Sequence, residues 1–168
     1  NLGFGFFMEW IDGETRGSKI VSDARYANLR ETLAYECGVA LAKIHGIDVR
    51  KHRLDELLPV RSPEDNVMAT WRRYQQLKTP HPMIDYTAKW LLNHLPKENR
   101  ITLVHSDFRN GNLLVNEDRL AAVLDWEIAQ IGDPIRDLGW LCTGSWRFGA
   151  YDKVVGGFGE LADLLDGY

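Results

Sequence analysis

The segment from Ile101 to Glu127 constrains the fold of this 168-residue chain more than any other part. It holds three short apolar runs, the last two separated by an Asn-Glu-Asp-Arg turn: Ile101–His105, Leu113–Val115 and Ala121–Leu124. A short apolar run bounded by turn residues predicts a strand, and two runs around a tight turn predict a β-hairpin. The segment therefore predicts a strand, an irregular loop and a hairpin.

Three polar residues stand at the junctions of these elements. Asp107 and Asn112 lie on the loop, and Asp125 follows the hairpin. Phosphoryl transfer from ATP needs a carboxylate that accepts the proton of the attacking hydroxyl, and oxygen ligands that hold magnesium. The three residues supply those groups. An Asp followed by an Asn five residues on also recurs by chance, in loops where both side chains cap their own backbone.

The remainder of the chain is mostly helical in its patterning. Apolar residues recur at helical spacing in three stretches, a further helix is predicted to open at Pro134 and to run through Leu141, and a weaker helical pattern covers Phe158–Leu165. The three clear stretches run from Leu29 to Ile44 before Gly46, from Ser62 to Leu77, and from Ile84 to Leu95. Phe4–Ile11 is aromatic and predicts a strand. The predicted class is α+β, mostly helical with a small embedded β-hairpin.

Composition excludes several classes of protein. Hydrophobic residues make up 45% and charged residues 26%, which is typical of a globular chain, and the net charge of −4 argues against a nucleic-acid partner. No apolar stretch is long enough to span a membrane. Cys37 and Cys142 lie far apart in apolar runs, which predicts free thiols in a reducing compartment. We therefore expect a cytoplasmic protein.

Three motifs, in order, resemble the aminoglycoside phosphotransferase and choline kinase superfamily. His105-Ser106-Asp107 with Asn112 is similar to the family's H-G-D-x-x-x-x-N, except that Ser106 replaces glycine. The other two are F-F-M-E-W-I-D-G-E at 6–14 and G-D-P-I-R-D-L-G-W-L at 132–141. Protein kinases use the same order of a loop Asp, an Asn and a second Asp. The resemblance implies the C-terminal lobe of a protein-kinase-like fold.

The resemblance also implies a role for each motif residue. Asp107 would be the catalytic base, and Asn112 and Asp125 would bind magnesium. Backbone groups around Met8, Glu9 and Trp10 would meet the adenine of ATP.

Two neighbours of Asp107 complete the candidate catalytic set. His105 is expected to brace the loop rather than to react. Arg109 either contacts phosphate or anchors the loop to an acid such as Asp133. Asp137 is expected to hold the loop by hydrogen bonds. Glu127 either touches the metal through water or forms a surface ion pair.

The resemblance further implies that the chain is a piece of a longer enzyme. Residues 1–13 would be the end of an N-terminal lobe and its hinge strand, and 14–168 an incomplete C-terminal lobe. A glycine-rich loop and a phosphate-pairing lysine are not found in the sequence. Alone, the chain is expected to bind ATP poorly.

The expected function is ATP-dependent phosphorylation of a hydroxyl on a small molecule. A non-catalytic kinase-like binding module is the main alternative, and a metal-dependent hydrolase would need further metal ligands. The acceptor and the oligomeric state cannot be read from the residues.

Overall fold

The computed structural model describes residues 8–98 and 100–168. The predicted α+β class is confirmed. The helices are α1 (Gly17–Ser22), α2 (Ala27–His45), α3 (Pro63–Gln76), α4 (Pro82–Asn93), α5 (Ile135–Leu141) and α6 (Leu161–Gly167). The strands are β1 (Thr102–Val104), β2 (Leu113–Val115), β3 (Leu120–Val123) and β4 (Gln130–Gly132). None of the described helices combines the length and the apolar character needed to cross a membrane.

The chain divides into two compact units, each built from separated stretches. The first unit comprises residues up to Ala40, Phe108–Asp125 and Trp140–Tyr168. Its β2 and β3 pair antiparallel, with Leu113 opposite Val123, and the predicted turn closes the hairpin through backbone N–H groups that donate to Asn116 Oδ1. Apolar side chains fill its core: Ile20, Leu29, Leu33, Cys37, Phe108, Leu113, Val115, Leu141, Val155 and Leu164. Burial raises the pKa of the Cys37 thiol, which is consistent with an inert core residue.

The second unit comprises Leu41–Asp107 and Trp126–Gly139. Strand β1 pairs antiparallel with β4, and Thr102 lies opposite Gly132. The segment before α3 adds to the other edge of β4, since the Arg61 N–H donates to the Ile131 carbonyl at 2.8 Å. Helices α3 and α4 pack against each other. The buried apolar residues of this unit are Leu41, Ile44, Ala88, Leu103, Val104, Ala129, Ile131 and Leu138.

The three predicted long helices are confirmed as α2, α3 and α4, except that α4 ends at Asn93, before the predicted Leu95. On α2 the residues at helical spacing are buried, including Leu29, Leu33 and Leu41, and the helix ends at His45, directly before Gly46. Helix α3 begins at Pro63 as the sequence predicts, because Ser62 forms a capping box with Asp65.

Replacing Ser62 by Ala is expected to lower the free energy of unfolding by about 1 kcal/mol. The Ser62 hydroxyl accepts the Asp65 N–H at 3.1 Å, and the substitution leaves that N–H without its partner. Urea unfolding of the two proteins measures the difference. Ser145→Ala, at an exposed position, is the control; equal losses for both substitutions would contradict the capping role.

The structure corrects two predictions of local structure and adds two elements that were not predicted. Residues 8–11 form no strand, and the rest of the predicted strand, residues 4–7, lies outside the described residues. Strand β4 and helix α1 were not predicted, because each is short and carries few apolar residues. The last helix begins at Leu161 rather than Phe158, since Gly159 is engaged in a β-bridge with Val155.

Candidate active site

A buried carboxylate fixes the loop that follows β1. Asp137 Oδ2 accepts the backbone N–H of His105, and Asp137 Oδ1 accepts the backbone N–H of Ser106, both at 2.8 Å. His45 Nε2 lies 3.1 Å from Asp137 Oδ2. Asp137 and His105 are fully buried, and His45 is 1% exposed. Two amide donors and a histidine therefore satisfy one buried carboxylate, and the expected hydrogen-bonding role of Asp137 is confirmed.

The same loop presents Asp107. The Asp107 backbone N–H donates to His105 Nδ1 at 3.2 Å, so this ring nitrogen is the acceptor of the bond. The His105 ring also packs edge-on against Trp126, with 4.6 Å between the ring centroids. These contacts suit a bracing residue. Asp107 itself is half-buried and keeps access to solvent, as a general base requires.

Ser106 turns the backbone between His105 and Asp107. Its φ of 72° lies in the left-handed region, which glycine adopts freely and serine adopts at a steric cost. Its side chain is 4% exposed. The departure from glycine therefore carries a local strain.

In the first unit, the hairpin pairs Asn112 with the residue that precedes Asp125. The Leu124 N–H donates to the Asn112 carbonyl at 2.8 Å, directly beyond the Leu113–Val123 pair. Asn112 is buried, whereas Asp125 is exposed and has a φ of 64°. An amide oxygen and a carboxylate at the open end of one hairpin are hard oxygen donors. They fit magnesium, which binds one or two protein groups together with substrate phosphates.

No group of three or more His, Cys, Asp or Glu side chains within residues 8–98 and 100–168 has the arrangement of a metal site.

The loop before Asn112 is anchored by a residue that the sequence analysis did not single out. Asn110 is buried, and its Nδ2 donates to the carbonyls of Trp146 and Gly156 at 3.0 and 2.6 Å. Arg109 lies over the Trp146 ring, 4.5 Å from its centroid, and donates to the Asn110 carbonyl at 2.8 Å. These contacts stabilise the loop, and a contact of Arg109 with phosphate stays a prediction.

The remaining candidate residues are exposed. Glu127 lies at the surface and lines a cavity of the second unit. Met8 and Trp10 are 75% and 85% exposed, and Trp10 Nε1 donates to Asp12 at 2.9 Å. Glu9 is exposed as well. The roles of Met8, Glu9 and Trp10 at adenine and of Glu127 at the metal stay predictions.

A second feature missed by the sequence analysis is the arginine lining of that cavity. Arg61, Arg73 and Arg136 come from separate parts of the chain. Because they share no local spacing, no motif could have indicated that they lie together.

Comparisons with known proteins show the family of the chain. A family model described as the phosphotransferase enzyme family, APH, matches residues 2–168. Mouse acyl-CoA dehydrogenase family member 10 is 33% identical over 117 residues, which cover 67% of this chain and 11% of that protein.

Solved structures share the fold. A protein of Ralstonia eutropha JMP134, described as an aminoglycoside phosphotransferase, superposes with a TM-score of 0.69 at 26% identity and covers 95% of this chain and 50% of its own. Spectinomycin phosphotransferase APH(9)-Ia, solved with ADP and spectinomycin, reaches a TM-score of 0.59 at 17% identity over 95% of this chain and 50% of its own.

The chain thus spans about half the length of these two solved proteins. The family match covers nearly the whole chain and includes both the Asp107 loop and the hairpin. The chain therefore belongs to the APH phosphotransferase enzyme family and has its kinase-like fold.

Proposed function

We propose that the full-length protein transfers the γ-phosphoryl group of ATP to a hydroxyl group of a small molecule. Asp107 accepts the proton of that hydroxyl while its oxygen bonds to the γ-phosphorus, and ADP leaves. Asn112 and Asp125 hold Mg²⁺, which when bound neutralises charge on the phosphates. Met8, Glu9 and Trp10 meet the adenine, and we expect the enzyme to work in the cytoplasm.

The hairpin register supports this proposal most. The Leu124 N–H donates to the Asn112 backbone carbonyl at 2.8 Å, so Asn112 lies opposite the residue that precedes Asp125. A loop that merely caps its own backbone would not need a second acid at that position. The backbone strain at Asp125 adds support, since left-handed non-glycine residues cluster at functional sites.

The residues around Asp107 position the loop that carries it. Asp137 fixes the backbone of residues 105 and 106, and His105 fixes the amide of residue 107. The base is then held in place before the acceptor binds, and such positioning accounts for much of the catalysis of phosphoryl transfer.

One observation favours a second candidate, a non-catalytic binding module. The curated relatives are named as acyl-CoA dehydrogenases, and the matched segment of the mouse protein is only 11% of its length. ADP release by the full-length protein with ATP, Mg²⁺ and a panel of hydroxylated metabolites and aminoglycosides decides between the two. Acceptor-dependent ADP release supports the kinase, and tight nucleotide binding with none supports the module.

Replacing Asp125 by Asn is expected to reduce magnesium-dependent turnover on the order of 100-fold or more, because it removes several kcal/mol of charge stabilisation. Asn112→Ala should act in the same direction. Asp118→Asn, at the exposed turn of the same hairpin, is the matched control. A magnesium titration of turnover measures the effect, and a D125N protein with an unchanged magnesium dependence would exclude the assigned ligand role.

A further inference from the structure

A cavity of roughly 480 Å³ in the second unit is strongly cationic. Its charged lining consists of three arginines, Arg61, Arg73 and Arg136, and one acid, Glu127. Uncharged polar groups of Ser106 and Gln130 contribute to the same wall. A concave surface with an excess of guanidinium groups is typical of a site for carboxylate or phosphate.

None of the three arginines forms an ion pair with a described residue. Within the described part of the chain, no carboxylate lies within 4 Å of the side-chain nitrogens of Arg61, Arg73 or Arg136. Burial lowers the pKa of the Arg136 guanidinium, and the charge of Arg61 lowers it further, whereas Asp137 and Asp107 raise it. Arg61 and Arg136 therefore repel each other, and an anion bound between them would relieve this repulsion.

Separate elements carry these three arginines, all of which are exposed. Arg61 is fixed through its backbone bond to β4, Arg73 lies on α3, and Arg136 lies in the first turn of α5. The convergence of side chains from three elements on one cavity distinguishes it from a run of surface charges along one helix.

Ser106 provides an independent observation. Its hydroxyl is buried and has no hydrogen-bond partner among the described residues, although it lines this cavity. Its backbone is also strained, at a position where the family motif has glycine. Because nearly all buried hydroxyls are hydrogen-bonded, we infer that a ligand in the cavity supplies the missing partner.

An apolar cavity of roughly 400 Å³ adjoins the cationic one. The two share Asn66, Thr70 and Arg136. Its other lining residues come from α3 and α4 and are mostly apolar: Val67, Trp71, Met83, Ile84, Thr87, Ala88 and Leu91. A ligand that bridges both cavities would carry a charged end and a hydrocarbon part.

We propose that the phosphoryl acceptor is an amphiphilic anion. Its carboxylate or phosphate binds Arg61, Arg73, Arg136 and the Ser106 hydroxyl, and its hydrocarbon part occupies the apolar cavity. The proposal rests on the proposed kinase function, since it names the acceptor of the same site: Ser106 directly precedes the base Asp107. It also excludes aminoglycosides as preferred acceptors, because their amines are cationic.

Calorimetric titration of the full-length protein without ATP tests the proposal. The probes are 3-hydroxydecanoate, the neutral diol 1,3-decanediol, 3-hydroxybutyrate and inorganic phosphate. We expect 3-hydroxydecanoate to bind at least tenfold more tightly than the diol, which lacks the charge, and than 3-hydroxybutyrate, which lacks most of the chain. Competition by millimolar phosphate would identify phosphate as the preferred anion, and its absence the carboxylate; either outcome supports the cationic site.

Single substitutions test whether anion binding depends on this site or on surface charge in general. Arg73→Gln should weaken 3-hydroxydecanoate binding about tenfold or more, whereas Arg72→Gln, the next residue on α3, should not, because Arg72 lines a different cavity. Ser106→Gly removes the hydroxyl and relieves the backbone strain, so it should fold normally and still bind about tenfold more weakly. Equal binding of acid and diol, or equal effects of R72Q and R73Q, would overturn the proposal.

The experiments distinguish a wrong acceptor class from a wrong kinase function. Anion binding that depends on Arg73 without any ADP release would leave the acceptor site standing and refute the kinase. ADP release with neutral or cationic acceptors, unaffected by R73Q, would leave the kinase standing and refute the anionic acceptor.

Discussion

The Asp107→Asn variant of the full-length protein is expected to lose phosphotransferase activity by about 10²- to 10⁴-fold in kcat, with little change in KM for ATP. The amide keeps the shape of the carboxylate but cannot accept the proton of the acceptor hydroxyl. Because the effect falls on the chemical step alone, kcat and kcat/KM should fall together.

Steady-state rates of ADP release measure this loss. Asp133→Asn is a useful comparison, since Asp133 is half-buried and its side chain accepts the Ile135 N–H at the start of α5. It should change kcat by no more than a few-fold. A D107N enzyme that retains wild-type kcat at every pH would remove Asp107 from the mechanism.

The second large effect is expected at Asp137. Replacing it by Ala leaves the His105 and Ser106 amides and the His45 ring without their common partner in a fully buried position. Removing one member of such a buried cluster costs about 3–5 kcal/mol. We therefore expect a loss of that size in the free energy of unfolding.

Urea unfolding monitored by tryptophan fluorescence measures the loss. Asp137→Asn should cost less than Asp137→Ala, because an amide offers one oxygen where the carboxylate offers two. It should still reduce kcat, since the loop that carries Asp107 loses one anchor. Asp55→Ala, at an exposed position of the same unit, is expected to change stability by less than about 0.5 kcal/mol. If D137A lost no more free energy of unfolding than D55A, Asp137 would not hold the loop.

Local signals explain why much of the fold could be predicted. Helix α3 was located by Ser62 and Pro63, a cap and a first-turn residue that act within a few positions of each other. The hairpin was located by its turn, where Asn116 bonds the backbone two and three residues ahead. In both cases the contacts that define the element join residues a few positions apart, so the sequence pattern alone indicates them.

Non-local contacts explain why other elements were predicted wrongly or not at all. Strand β4 has only one strongly apolar residue, Ile131, and exists because β1 and the segment around Arg61 pair with its two edges. The aromatic run that ends at Ile11 shows the opposite case. Trp10 and Ile11 have strand propensity, yet both are exposed and without regular structure. Strand propensity reflects packing on a sheet, and it does not create one.

The same distinction between local and non-local contacts applies to the candidate site. Asp107, Asn112 and Asp125 were identified because the hairpin and its loop lie within 25 residues of sequence, from Ile101 to Asp125. The resemblance indicated that Asp137 holds the loop, and the structure adds His45 as its third partner. The arginine cavity depends on positions 61, 73 and 136, and nothing in their spacing indicates that they meet.

The most direct test of the central claim follows the γ-phosphoryl group itself. The full-length protein is incubated with γ-³²P-labelled ATP, Mg²⁺ and 3-hydroxydecanoate or the acceptor panel, and the products are separated. The account predicts label on an acceptor as a phosphate ester, in an amount equal to the ADP formed, and none with D107N. Label found only as inorganic phosphate, or only in unreacted ATP with every acceptor, would contradict it.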